Sequence, residues 1–202
     1  MSNKLRAVYE ALESRKVKQA LKLLGPLLEK KPDSGQLKIL KALAQLRSGK
    51  VEEALKLARE LKTHREIEED EGLLGNLALV FREAGLPSEA TECYAGAWAR
   101  HPEREGLARS LFAAYGRERN YLKQQQTAQK LYKQFGKESY YLWGIVCTSL
   151  QVLHGGPAKL LSLAERQMAK RAEEGKLATY EELRLYLEVL KSQGKHAEAC
   201  EA

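Results

Sequence analysis

Apolar side chains in this chain recur three and four residues apart, in blocks that stop at a glycine and then start again. The pattern is clearest near the middle, where Leu74, Leu77 and Phe81 form one stripe, Gly85 interrupts it, Ala90, Tyr94 and Ala97 form the next, and Pro102 closes the block. That spacing is the signature of amphipathic α-helices, and glycine ends a helix because it enters the left-handed conformation without a Cβ penalty. The stretches "SGKVEEALKLA" (48–58) and "AGLPSEATECY" (84–94) share little beyond a glycine and an alanine five residues later. This is how a helix–turn–helix joint looks when only its steric requirements are kept. High alanine, leucine, lysine and glutamate content with only five prolines favours helix and leaves no strand expected.

The joint repeats. Placing Gly49 over Gly85 aligns Ala20, Ala54, Ala90, Gln124, Ala164 and Ala199, at steps of 34, 36, 34, 40 and 35 residues. A helix–turn–helix period near 34 resembles the tetratricopeptide repeat. The expected fold class is therefore all-α: a right-handed solenoid of antiparallel helix pairs, in repeats at about 1–34, 35–70, 71–104, 105–139 and 140–179, with an incomplete sixth from 180. Ala20, Ala54, Ala78 and Ala90 are expected where paired helices cross, because only small side chains let two helices approach closely. Gly49 and Gly85 are expected as helix stops and Pro102 as the end of its unit. Repeat four places Phe112 and Gln124 at small-residue positions, which predicts helices set apart or rotated. In repeat five, Gly155, Gly156 and Pro157 predict a longer break. The last repeat stops inside its second helix, as expected of the N-terminal part of a longer protein.

Composition narrows the chemistry. No apolar run approaches the roughly 20 residues of a membrane span, and the N-terminus lacks the apolar stretch of a signal peptide, so a cytoplasmic protein is expected. Cys93, Cys147 and Cys200 are odd in number and widely spaced, fitting three reduced thiols in helices. Phosphate-loop, dinucleotide, zinc-protease and nucleophile-elbow motifs do not occur. His64, His101, His154 and His196 lie far apart in the repeat register, as solvated or capping residues do. An enzyme is not expected, nor a bound cofactor, metal or small-molecule substrate.

Binding remains. The first helices of repeats one and two carry Leu5, Tyr9, Leu12, Ile39, Leu43 and Leu46 at positions that would line a concave groove suited to a partner helix, unless they pack between repeats. The 34 basic and 27 acidic residues are unevenly spread: eight basic against four acidic in 1–34, seven against three in 105–139, and three against five in 71–104. Arg15, Lys16, Lys18 and Lys22 cluster at one turn, and Arg117, Arg119, Lys123 and Lys130 at another. Such clusters suit RNA phosphates, for instance on a ribosome, although a solvated helical face has the same composition.

The order "LKALAQLRSGKVEEALKLA", "LALVFREAG", "ATECYAGAWARHP", "LYKQFGKESYYLWGIVCTSLQ" and "LAERQMAK" resembles the N-terminal part of the auxiliary subunit family of N-terminal acetyltransferase complex B. The most specific portion runs from Tyr132 to Gln151, ending in "KESYYLWGIVCTSLQ", and departs from the generic repeat. The resemblance implies a non-catalytic scaffold that wraps a small catalytic acetyltransferase subunit and helps hold the complex on the ribosome. It implies action on nascent chains that keep methionine before Asp, Glu, Asn or Gln, with acetyl-CoA held by the catalytic partner alone. Two alternatives stand beside it: a generic adaptor that binds a peptide or helix, and an RNA-binding helical repeat.

Overall fold

The computed structural model describes residues 3–177 and 179–201. Every regular element among them is helical. Antiparallel pairs follow one another as α1 (Asn3–Glu13) with α2 (Val17–Lys30), α3 (Gly35–Arg47) with α4 (Val51–Glu60), and α6 (Glu71–Glu83) with α7 (Pro87–Arg100). Then come α8 (Glu105–Arg117) with α9 (Tyr121–Phe135), α10 (Glu138–Leu153) with α11 (Lys159–Glu173), and α12 (Tyr180–Ser192) with α13 (His196–Glu201). A helical turn at Leu61–Thr63 and a short helix α5 (Arg65–Glu69) lie between the second and third pairs. The chain forms two compact units, 1–110 and 111–202, with the division inside α8.

One turn geometry closes every pair. One residue after the helix cap the backbone turns left-handed, with φ of +85° at Gly49, +75° at Gly85, +89° at Gly155 and +75° at Gly194. The following amide then reaches back across the last turn of the helix, Lys50 N–H to Gln45 O at 3.0 Å and Leu86 N–H to Phe81 O at 2.9 Å. Gly156 N–H to Gln151 O at 2.8 Å and Lys195 N–H to Leu190 O at 3.1 Å repeat the bond. This satisfies carbonyls that the helix end would leave bare and reverses the chain in about three residues. The neighbouring Gly156 is not left-handed, but a Cβ there would stand 2.6 Å from the Gln151 carbonyl oxygen.

In the first unit, α3 packs against α2, α4 and α6. Ala20, Ala54, Ala78 and Ala90 are all buried, as a close crossing requires. Pro102 is exposed just beyond α7, and its carbonyl accepts the Trp98 indole N–H at 3.1 Å. Ion pairs then join successive pairs near their ends. Arg47 holds Glu83 through two bonds of 2.9 and 2.6 Å and gives a third, of 3.1 Å, to the Leu12 carbonyl, so one guanidinium touches three repeats. Arg59 and Lys62 both grip Glu89, and the Arg59 hydrogen bonds foremost bring its carboxyl down to about 2. The segment 61–70 is a wedge: Ile67 is fully buried, and the Glu66 carboxylate accepts the Gly35 N–H at the start of α3.

In the second unit, Phe112 of repeat four stacks on Trp143 of α10, with centroids 4.6 Å apart, and Tyr140 meets Trp143 edge-on. Gln124 of α9 is buried and comes close to Gly116 of α8, where a Cβ would lie 2.6 Å from Gln124 Nε2. Ile145, Ala164, Met168 and Val189 form the core of α10, α11 and α12. Within it Arg171, 6% exposed, pairs with Glu138 of α10 and with Glu182 of α12, the latter 8% exposed and 2.9 Å away. Its guanidinium also lies 5.5 Å from the Tyr141 ring centroid. Glu182 serves in addition as the capping-box residue for Thr179.

Removing one partner of a buried pair leaves the other charge uncompensated, which is costly, whereas removing both is much milder. Arg171→Met is therefore expected to lower the unfolding free energy of this unit by about 3 kcal/mol. Adding Glu182→Gln, which keeps an acceptor for the Thr179 amide, is expected to restore most of that loss. Urea denaturation followed by helical circular dichroism checks it; additive losses in the double variant would contradict the pairing.

Candidate functional site

The two basic clusters occupy the same joint in different repeats, one in each compact unit. In repeats one and four, the left-handed position that is glycine in the other helix pairs is Arg15 (φ +55°) and Arg119 (φ +56°). The closing hydrogen bond is unchanged, Lys16 N–H to Ala11 O at 2.8 Å and Asn120 N–H to Tyr115 O at 2.9 Å. An L-residue pays for this conformation through its Cβ, so each turn carries strain that glycine would relieve. The cost goes with a side chain pointing away from the fold: Arg15, Lys16, Lys18, Lys22, Arg117, Arg119, Lys123 and Lys130 are all exposed.

Basic side chains outnumber acidic ones at these turns, with Glu13 and Glu118 standing among them and the Arg15 charge acting on Glu83. Among the described residues, no ion pair engages Arg15, Lys16, Lys18, Lys22, Arg117 or Arg119. Lys123 sits 5.6 Å over the Tyr115 ring. The helices that start there, α2 and α9, have no acidic residue in their first turn, whereas α4 has Glu52 and Glu53 and α7 has Glu89. Carboxylates at a helix start compensate the positive end of its dipole, and at Arg15 and Arg119 that compensation is missing. Each joint can thus offer an anion a guanidinium, neighbouring lysines and a helix start together.

Beside Arg119 the turn of repeat five forms one wall of an open cleft of about 530 Å³, with Asn120, Tyr121, Gln151 and His154 among its lining. The Tyr121 and His154 rings meet at a 34° tilt, centroids 4.8 Å apart, with the hydroxyl 3.2 Å from Nε2. From the sequence His154 reads as a solvated or capping residue. Its partner stands 33 positions away, one repeat earlier, and only the common register could have signalled the pair.

The apolar groove expected in repeats one and two is reduced. Leu12, Ile39 and Leu43 are 4%, 1% and 8% exposed and belong to the core, because the inner stripe of each first helix is consumed by packing within and between repeats. Leu5, Tyr9 and Leu46 remain half-buried, and the Tyr9 hydroxyl accepts a hydrogen bond from Gln36 at 3.0 Å. Cys93 and Cys147 are buried and Cys200 is exposed. Burial pushes the Cys93 thiol up to about 11 and that of Cys147 up to about 12, so both stay protonated. Among the described residues no cluster of histidine, cysteine or carboxylate could hold a metal, and no helix is long and apolar enough to cross a membrane.

Antiparallel helix pairs recurring at a period near 34 residues define a tetratricopeptide-repeat protein, a class that works by presenting surfaces. The chain belongs to the family described as Psidin, N-terminal TPR repeats region, whose profile matches residues 2–202. It is similar to the N-terminal acetyltransferase B complex auxiliary subunit NAA25 of Arabidopsis thaliana, 37% identical over 98% of this chain and 19% of that protein. It is also similar to the N-alpha-acetyltransferase 25, NatB auxiliary subunit, of Homo sapiens, 34% identical over 97% of this chain and 20% of that protein. The chain thus spans about one fifth of the length of these relatives. Among solved structures, one of Naa15/Naa10 bound to HypK-THB shares the fold at a TM-score of 0.62 and 23% identity, covering 98% of this chain and 30% of that one. A tetratricopeptide repeat protein from Parabacteroides merdae does so at 0.53 and 17%, covering 98% of this chain and 75% of that one.

If the two arginines are strained, replacing them relieves the fold. Arg15→Gly and Arg119→Gly are each expected to raise the unfolding free energy by about 0.5 kcal/mol, the Cβ penalty less the extra freedom of glycine in the unfolded chain. Equilibrium denaturation of each variant measures it. A loss of stability in either would show that its left-handed arginine is not strained.

Proposed function

We propose that this chain is the N-terminal scaffold region of a non-catalytic auxiliary subunit in a B-type N-terminal acetyltransferase complex. The observation that carries this reading is the similarity to such subunits along nearly the whole chain. In it, a catalytic partner holds acetyl-CoA and acetylates nascent chains that keep methionine before Asp, Glu, Asn or Gln, in the cytoplasm where they emerge. The chain supplies shape and charge. Its basic turns at Arg15–Lys22 and Arg117–Lys130 face ribosomal RNA, a reading supported by their exposure and by the absence of acidic residues at the adjoining helix starts. Leu5, Tyr9 and Leu46 are the half-buried apolar positions left for another part of the complex.

The test uses the complete complex with Arg15, Lys16, Lys18, Arg117, Arg119 and Lys123 changed to glutamate. Wild-type complex is expected to sediment with ribosomes in a salt-sensitive way and to acetylate Met-Asp and Met-Glu peptides, which this chain alone does not acetylate. The variant is expected to lose sedimentation by more than about tenfold at moderate salt while keeping peptide acetylation, because phosphate contacts are sequence-independent and screened. Unchanged, salt-insensitive sedimentation would remove the ribosome role. Sedimentation lost without any acetyltransferase activity in the wild-type preparation would favour an RNA-binding repeat with no link to acetylation.

A further inference from the structure

Helix α2 carries a second surface, on the outer side of its middle turns, that shares only Lys22 with the basic turn and is not part of the core. Its inner face is committed, with Ala20 and Leu24 buried where α2 packs on α1 and α3. On the outer side Leu23, Pro26 and Leu27 floor a groove of about 790 Å³, rimmed by Lys4 of α1 and by Lys22 and Lys30 of α2. No carboxylate lines it, and among the described residues none of the three lysines is in an ion pair.

The same stretch contains a Gly25–Pro26 pair inside the helix. Both residues disfavour helix interiors, proline because it has no amide to give the Lys22 carbonyl one turn back and glycine because it frees the backbone. Nothing within the fold requires the glycine: its φ is not left-handed, and a Cβ there would meet no atom within 4 Å. The pair lies exposed beside the groove, with no side chain at Gly25 and no Pro26 amide to take the Lys22 carbonyl. Those are properties of a surface that another chain approaches closely.

We propose that this groove docks an acidic amphipathic helix from a partner protein. The apolar floor takes the partner's leucine-type stripe at i, i+3, i+7 spacing, and the three lysines select glutamates or aspartates flanking that stripe. From Gln19 to Lys30 the surface runs for about 17 Å, room for roughly three turns of a docked helix. The partner is identified by charge complementarity: a basic rim without an acidic residue repels a basic helix and leaves a neutral one without orientation.

The site is independent of the acetylation reading and is tested separately. The probe is a fluorescein-labelled peptide of about 14 residues with a leucine stripe flanked by glutamates, beside a scrambled peptide of the same composition. Anisotropy with this chain is expected to show saturable binding of the striped peptide only. Lys4→Glu with Lys30→Glu, both exposed and outside both the core and the basic turn, is expected to weaken it about tenfold or more at unchanged helicity. Gly25→Ala with Pro26→Ala is expected to raise the melting temperature and weaken binding too. Equal binding of the scrambled peptide, indifference to the lysine reversals, or a short RNA whose own binding is lost with those same reversals would each overturn the proposal.

Discussion

The structure depends on one local constraint: each helix pair must reverse within about three residues and still satisfy the carbonyls at the end of the first helix. The left-handed residue after the cap meets both demands, and its amide-to-carbonyl bond recurs from Lys16 to Lys195. Because the residue after the left-handed one is already the cap of the next helix at Lys16, Lys50, Leu86 and Asn120, the second helix has little freedom in where it starts. Close crossings at alanine follow, and so does the period near 34 residues. Ion pairs such as Arg47–Glu83 then link pairs that the turns have already formed.

Where this constraint is met by arginine instead of glycine, the fold gives up stability and gains a projecting charge. Arg15 and Arg119 make that exchange at joints whose helix starts lack an acidic first turn, a lack shared by α11 after the glycine turn at Gly155. A left-handed arginine adds a conformational cost that charge on a solvated helix face does not carry. The stretch "KESYYLWGIVCTSLQ" plays the opposite part. Tyr140 and Trp143 form an aromatic cluster with Phe112, while Tyr141 and Glu138 attend the buried Arg171. It departs from the generic repeat because it packs aromatics and a buried cation, not because it carries chemistry.

Much of this was legible in the sequence, for reasons that differ residue by residue. Ala20, Ala54, Ala78 and Ala90 could be placed because a volume limit leaves few alternatives, and Gly49 and Gly85 because a left-handed turn favours glycine. The clusters around Arg15 and Arg119 were visible as charge, but their strain was not, since a left-handed arginine has no sequence signature. Helix α5 gives no sequence signal because Ile67 is the one buried residue in its five, too little to make an apolar stripe. Leu12, Ile39 and Leu43 were assigned to a groove because an apolar stripe reads the same whether it meets a partner or the next repeat. Phe112 and Gln124 announce helices set apart or rotated, but that Gly116 is the residue Gln124 approaches has no signal in the repeat register.

The central claim is that this chain works as scaffold for a separate acetyltransferase. The most direct measurement is purification of the protein under native conditions from its own cells, with its partners identified by mass. The account predicts a stoichiometric acetyltransferase subunit in that preparation, with N-terminal acetylation activity that travels with the subunit. Recovery of the protein with other partners and no acetyltransferase, reproducibly and at low salt, would contradict it.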